Sequence, residues 1–183
     1  MNERVIKQKL RSELIIPESA TIVEELQLCG HCARADFAVI DNTIRGFEIK
    51  SEKDNLSRLE NQIGYYDQVF EFSTLVAAEK HLSAARQILP SHWGLIAVKA
   101  NATIRLVSKR KAKRNKRLSS ESILELLWMD ELLEIVASKG LHGTRKSWGR
   151  GKLRSMIAAN LTEAETLECA SAQIRVRRNW RAA

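Results

Sequence analysis

Near the start of the chain Val5, Ile6, Leu10 and Leu14 recur at helical intervals among charges, and Pro17 ends the run. Residues 3–15 are therefore predicted as an amphipathic helix. Over 20–29, Ile22, Val23, Leu26 and Leu28 mix with Glu24 and Glu25, which reads as a second short helix, with a short strand as the competing reading. Two runs of strand-type residues, Arg34–Ile40 and Ile44–Lys50, flank a tight polar connection at Asp41-Asn42 and predict a β-hairpin. From Asp54 onward Leu56, Leu59, Ile63, Tyr66 and Phe70 recur at steps of three and four, a helix face with Asp54 as its N-cap. Ser73–Ala78 reads as a buried strand, His81–Leu89 as a short helix stopped by Pro90, Trp93–Val98 as a strand, and the alternating stretch 102–108 as a strand pairing back. Residues 1–108 thus predict an α/β domain, a mixed sheet flanked by helices.

After Ser108 the pattern changes. Lys109, Arg110, Lys111, Lys113, Arg114, Lys116 and Arg117 crowd into nine residues with nothing apolar larger than alanine, so 109–119 is predicted as a basic linker or exposed arm. Residues 120–137, 144–159 and 162 to about 180 predict three helices, the last opening on Thr162 and Glu165 in capping-box spacing. The expected organisation is a core over 1–108, the arm, and a basic helical extension over 120–183.

The 183 residues are 44% hydrophobic and 28% charged, with two prolines and eight glycines, which fits one folded domain with an appendage. Residues 1–108 carry 13 Lys and Arg against 14 Asp and Glu, whereas 109–183 carry 17 against 8. A positive field confined to one part of a chain attracts polyanions and adds a salt-dependent term to their binding. Nucleic acid is the expected partner rather than membrane, because the basic segments lack the aromatic, apolar face that anchors a surface helix in a bilayer. No stretch approaches the ~20 apolar residues of a membrane helix, and the first twenty residues do not read as a secretion signal. Cys29, Cys32 and Cys169 are too few and too unevenly spaced for a disulfide framework, so a cytoplasmic location is expected.

The candidate chemistry lies in the hairpin. Glu48 and Lys50 share one face because strands have a period of two, and Asp36 on the first strand is expected on the same face. Ionic side chains facing a covered sheet are costly unless they pair or hold a cation. Two carboxylates beside an amine suit Mg²⁺ or Mn²⁺ held through oxygen, with the ammonium orienting or helping to deprotonate a water, and hydrolysis of a phosphodiester is the matching reaction.

Asp36 followed by Glu48-Ile49-Lys50 resembles the D…(D/E)XK signature of the PD-(D/E)XK nuclease superfamily, and Gln62 and Tyr66 resemble the Q-x-x-x-Y motif of its RecB-like branch. The stretch from Glu24 to Tyr66 looks most like small RecB-like nuclease-related proteins of bacteria and phages, and the resemblance covers roughly the first 100 residues. It implies a restriction-endonuclease-like fold and a nuclease acting on DNA with Mg²⁺ or Mn²⁺. It further implies that Asp36, Glu48 and the Ile49 carbonyl bind metal, that Lys50 serves the water, and that Gln62 and Tyr66 support Lys50 or position the phosphate. Glu25 would be an upstream metal acid, with Glu24 as the alternative. The family's leading proline is replaced by Ala35.

The basic run, together with Arg145, Lys146, Trp148, Arg150 and Lys152, is the expected nucleic-acid surface, since aromatic and basic residues interleave around Trp148. A buried Trp148 is the competing reading. Arg58 is most simply a surface charge, although it faces the same helix side as Gln62. Cys29-Gly30-His31-Cys32 matches a disulfide-exchange tetrapeptide, but no aromatic-bearing strand leads into it, and a strand rather than a helix is predicted after it. The bland alternative is a turn with two small thiols. Zinc binding there would need a fourth ligand, with Cys169 or His142 the vague candidates. Against the nuclease stands a catalytically silent module that uses the same fold to hold nucleic acid or another protein. A homodimer is compatible with double-strand cutting.

Overall fold

The computed structural model describes residues 2–14, 16–100, 104–144 and 147–177. The elements are α1 (Glu3–Glu13), β1 (Thr21–Leu28), β2 (Ala33–Ile40), β3 (Ile44–Lys50), α2 (Leu59–Val69), β4 (Phe72–Ala78), a 3₁₀ turn at Glu79–His81, α3 (Leu82–Ile88), β5 (Gly94–Ala100), β6 (Ile104–Arg110), α4 (Ser120–Leu124), α5 (Met129–Ser138), α6 (Arg150–Asn160) and α7 (Glu163–Val176). The six strands form one mixed sheet in sequence order. β1, β2 and β3 are antiparallel neighbours, β3, β4 and β5 run parallel, and β6 returns antiparallel.

Two apolar layers cover the sheet. Ile6 and Leu10 of α1 pack with Phe37, Val39, Phe47, Ile49, Val76 and Val98 on one face. On the other, Leu59, Ile63, Tyr66 and Val69 of α2 join Ile40, Ile44, Leu75 and Leu95, and the same cluster continues through Ile123, Leu132, Ile157 and Ile174 of the C-terminal helices. Alternation along β3 thus sends Phe47 and Ile49 toward α1, and Glu48 and Lys50 toward α2. Gly46 is required here: a Cβ would fall 2.4 Å from the Phe70 ring.

Several sequence expectations are corrected. Residues 21–28 form the edge strand β1 and not a helix. Seven of the eight residues pair with β2, and the gain from extending a sheet outweighs a weak helical pattern. The alternation of β1 changes phase at Glu25, which is left-handed with φ 57°. Ile22 packs on the α1 side, but Leu26 and Leu28 pack on the other.

Asp54 does not cap α2, which begins five residues later. Its carboxylate accepts instead from the amide and hydroxyl of Ser51, closing the loop after β3. The helix predicted over 120–137 is broken at Trp128, which is extended with ψ 170°; its amide donates to Glu131 at 2.7 Å, so a new helix starts there. α6 starts at Arg150 and not at Thr144. The capping box of Thr162 and Glu165 opens α7 as expected.

The basic run is not a free arm. Lys109 and Arg110 belong to β6, and the Arg110 guanidinium donates to the carbonyls of Trp93 and Pro90 at 2.6 and 3.0 Å. Lys113 donates its amide to the His92 carbonyl. Buried Asn115 gives both amide hydrogens to the carbonyls of Asp67 and Phe70. A buried polar side chain is tolerable only with its bonds made. Asn115 fastens the run across the end of α2, leaving the lysine side chains outward.

Candidate active site

Glu48 and Lys50 are 1% and 6% exposed. Neither charge stands alone in that low-dielectric setting. The Lys50 ammonium donates to Glu48 Oε1 at 2.7 Å and to Gln62 Oε1 at 2.9 Å, and the Gln62 amide nitrogen donates to Glu48 Oε1 at 2.6 Å. The Tyr66 hydroxyl donates to Glu48 Oε2 at 2.7 Å. Gln62 and Tyr66 meet the same carboxylate because four residues make about one helical turn. Burial first, then the charge of Glu48, push the Tyr66 hydroxyl well above its ordinary range, so it stays a donor.

Asp36 lies just beyond the last paired residues of β2 and β3, Phe37 and Phe47. Its Oδ2 accepts the Ile49 amide at 2.7 Å. Burial, then the negative charge of Glu48, push its pKa up to about 7, with the Ile49 amide and Lys50 only partly offsetting them and Glu3 adding to the rise. A carboxyl in that state binds a proton or a cation far more readily than an exposed aspartate.

Glu25 and Glu3 complete this corner: carboxylate oxygens of Glu3, Glu25 and Asp36 lie within 4.8 Å of one another, close enough to share one ion. Lys7 of α1, buried beneath them, pairs with both Glu3 and Glu25, and Arg34 pairs with Glu25 at 2.6 Å. Glu24, the alternative upstream acid, turns away to Arg11. Sequence reasoning missed Glu3 and Lys7, since a Glu and Lys four apart on an amphipathic helix look like any surface pair. All five expected catalytic residues meet at one cleft of about 540 Å³: Asp36, Glu48, Lys50 and Gln62 line it, and Tyr66 lies beneath Glu48.

The expected nucleic-acid residues do not gather there. The basic run crosses near the start of β3, where Arg114 pairs with Glu71 and Glu71 accepts the Ile44 amide. Lys50 ends the same strand, so the two regions are roughly 20 Å apart at ~3.3 Å per residue. Arg117 lies 3.8 Å from Asp67 with most of its side chain exposed. Trp148 is half-buried against the core, with the Lys152 ammonium 4.9 Å from its ring centre. Arg150 lines a neighbouring cavity of about 520 Å³ along β1, which shares Gln27 and His31 with the cleft. Arg145 and Lys146 lie outside the described residues.

Cys29–Cys32 is a turn between β1 and β2, closed by the Cys32 amide on the Cys29 carbonyl, with positive φ at Cys29, Gly30 and His31. The Cys29 thiol is pushed up by burial, opposite to a reactive thiol. Among the described residues Cys29, His31 and Cys32 are not part of a three-ligand metal cluster.

The fold and site together define a mixed α/β protein whose sheet buries an ionic cluster under a polar cleft. Residues 1–179 match the family described as Bacteriophage P4 protein cII, and the chain belongs to that family. Protein cII of Enterobacteria phage P4 is 30% identical over 123 residues, covering 67% of this chain and 47% of that protein, so the match spans about half the length of this relative. Among solved structures, a protein of unknown function from Silicibacter pomeroyi has a TM-score of 0.46 at 17% identity, covering 78% of this chain and 93% of that one. Pyrococcus furiosus SfsA in complex with Ca²⁺ has a TM-score of 0.33 at 11% identity, with 61% of each chain covered. Among the described residues no helix is long and apolar enough to cross a membrane.

Proposed function

We propose that this chain is a metal-dependent nuclease of restriction-endonuclease-like fold that hydrolyses phosphodiester bonds in DNA. The observation that carries this reading is the pairing of a buried, amide-supported Glu48–Lys50 couple with Asp36, whose carboxyl is raised to about 7 beside it.

The donor set fits a hard divalent cation. Carboxylate oxygens converge from Glu3, Glu25 and Asp36, and Asp36, raised first by burial and then by the charge of Glu48, would be relieved of part of that cost by a cation. Glu48 also retains capacity, because a carboxylate offers about four lone-pair sites and three are taken. Asp36, with Glu25 and Glu3 and the free side of Glu48, would hold Mg²⁺ or Mn²⁺, which supplies Lewis-acid charge for the phosphate and its attacking water. Lys50, fixed by Glu48 and Gln62, directs its remaining N–H toward the cleft to orient that water. Tyr66 and Gln62 keep the Glu48 carboxylate from rotating. Arg34, tied to Glu25, places a guanidinium at the rim beside the phosphate path.

The test is incubation of wild type and Asp36→Asn with labelled single-stranded, duplex and branched DNA in Mg²⁺, Mn²⁺ or EDTA, following cleavage and binding. Metal-dependent cleavage that vanishes in the variant while binding survives is expected. Binding without cleavage across the panel sinks the nuclease reading and leaves a silent nucleic-acid-binding module.

A further inference from the structure

Helix α2 presents two rows of side chains with opposite situations. The inner row, Gln62 and Tyr66, is consumed by Glu48 and Lys50. The outer row, Arg58, Asn61 and Tyr65, lines the same cleft, and none of the three side chains makes a hydrogen bond or ion pair among the described residues. Spacings of three and four place all three on one helix face. Arg58 stands at the head of α2 with its side chain exposed. The rest of the cleft is lined by the carboxylates of Glu3, Asp36 and Glu48 together with Lys50 and Arg34.

We propose that this outer row is the substrate-reading surface of the cleft and that its ligand is a single strand of nucleic acid, a deepening that rests on the nuclease reading. Arg58 takes a backbone phosphate next to the one that a cation at Glu3, Glu25 and Asp36 would hold. Tyr65, seven residues on and roughly 10 Å along the helix axis, stacks on an unpaired base, and Asn61 between them offers its amide to the sugar or base edge. A phenol ring stacks most readily on a base that has left its duplex. The size of the cleft agrees: about 540 Å³ is the scale of a small-molecule pocket and admits a nucleotide or two of one strand.

The experiment measures binding by fluorescence anisotropy in Ca²⁺ or EDTA, independent of turnover. It uses a labelled mixed-sequence single-stranded DNA and its blunt duplex, with wild type, Tyr65→Ala, Tyr65→Phe and Arg58→Ala, each checked for folding by thermal melting. Wild type is expected to bind the single strand more tightly than the duplex. Tyr65→Ala should weaken single-strand binding roughly tenfold, Tyr65→Phe should retain it, and Arg58→Ala should reduce the salt slope by about one. Equal single-strand affinity in folded Tyr65→Ala, or a wild-type preference for blunt duplex, overturns the proposal. Because binding and cleavage are read separately, failure here leaves metal-dependent cleavage standing, and failure of cleavage leaves this binding result to be judged alone.

Discussion

The two ends of β3 hold their charges in contrasting ways. At the Lys50 end, cation and carboxylate are buried together, Gln62 and Tyr66 bond to them, and Asp36 stands beside them with its carboxyl raised to about 7. At the Ile44 end the basic run is laid over the sheet by backbone bonds and by Asn115, and most of its cations project outward. One end buries opposite charges against each other, and the other leaves its cations at the surface. Charge content alone does not distinguish these uses; burial and partners do. A buried pair is rigid and depends on both members, while exposed lysines act through a long-range, salt-screened field.

The sharpest way to break the contrast is Glu48→Ala. It strips Lys50 of its carboxylate inside the sheet, and removing one member of a buried pair costs about 3–5 kcal/mol, read as a lowered urea midpoint. Glu48→Gln, which keeps the shape and some hydrogen bonds, should cost clearly less. Equal stability of Glu48→Ala and wild type would show that the pair is not the constraint described.

The fastening of the basic run is next in size. Asn115→Ala leaves the carbonyls of Asp67 and Phe70 without their side-chain donor, at about 1–3 kcal/mol for a buried group left unsatisfied. Hydrogen exchange should rise at Lys113, whose amide is bonded to His92. Unchanged protection would mean that the run is held by its backbone contacts alone.

The smallest effect on stability belongs to the exposed lysines. Replacing Lys111, Lys113 and Lys116 with Gln should move the melting free energy by less than about 0.5 kcal/mol per site and flatten the salt dependence of DNA binding by up to about three. A large loss of stability would contradict their outward placement.

Much of this contrast could be anticipated from local pattern. The hairpin carrying Asp36, Glu48 and Lys50 shows period-two residues around a polar turn, and the α2 stripe shows helical spacing, so each element followed from short-range rules, whereas the meeting of Gln62 and Tyr66 with Glu48 and Lys50 was implied only by the family resemblance. β1 escaped because its helical spacing is local whereas its pairing with β2 is not, and because the left-handed Glu25 shifts the alternation midway. The break at Trp128 depends on Glu131, which Arg177 holds from 46 residues away. Glu3 and Lys7 reach the site only through the docking of α1 on the sheet. The seating of the basic run hinges on Asn115, one polar residue among cations with no distinguishing neighbour.

Calorimetric titration of Mn²⁺ into DNA-free wild type and Asp36→Asn shows whether the acidic corner beside Glu48 and Lys50 takes a divalent cation. Asp36 is raised to about 7, so it binds a proton below that pH and competes with the metal; above it the carboxylate is free. In wild type, Mn²⁺ affinity should climb up to about tenfold per pH unit on approaching 7 and level off above it, with proton release on binding below 7. Asp36→Asn should lose both the affinity and the pH dependence. Absence of Mn²⁺ binding at pH 8, or binding of equal strength in Asp36→Asn, would contradict the assignment.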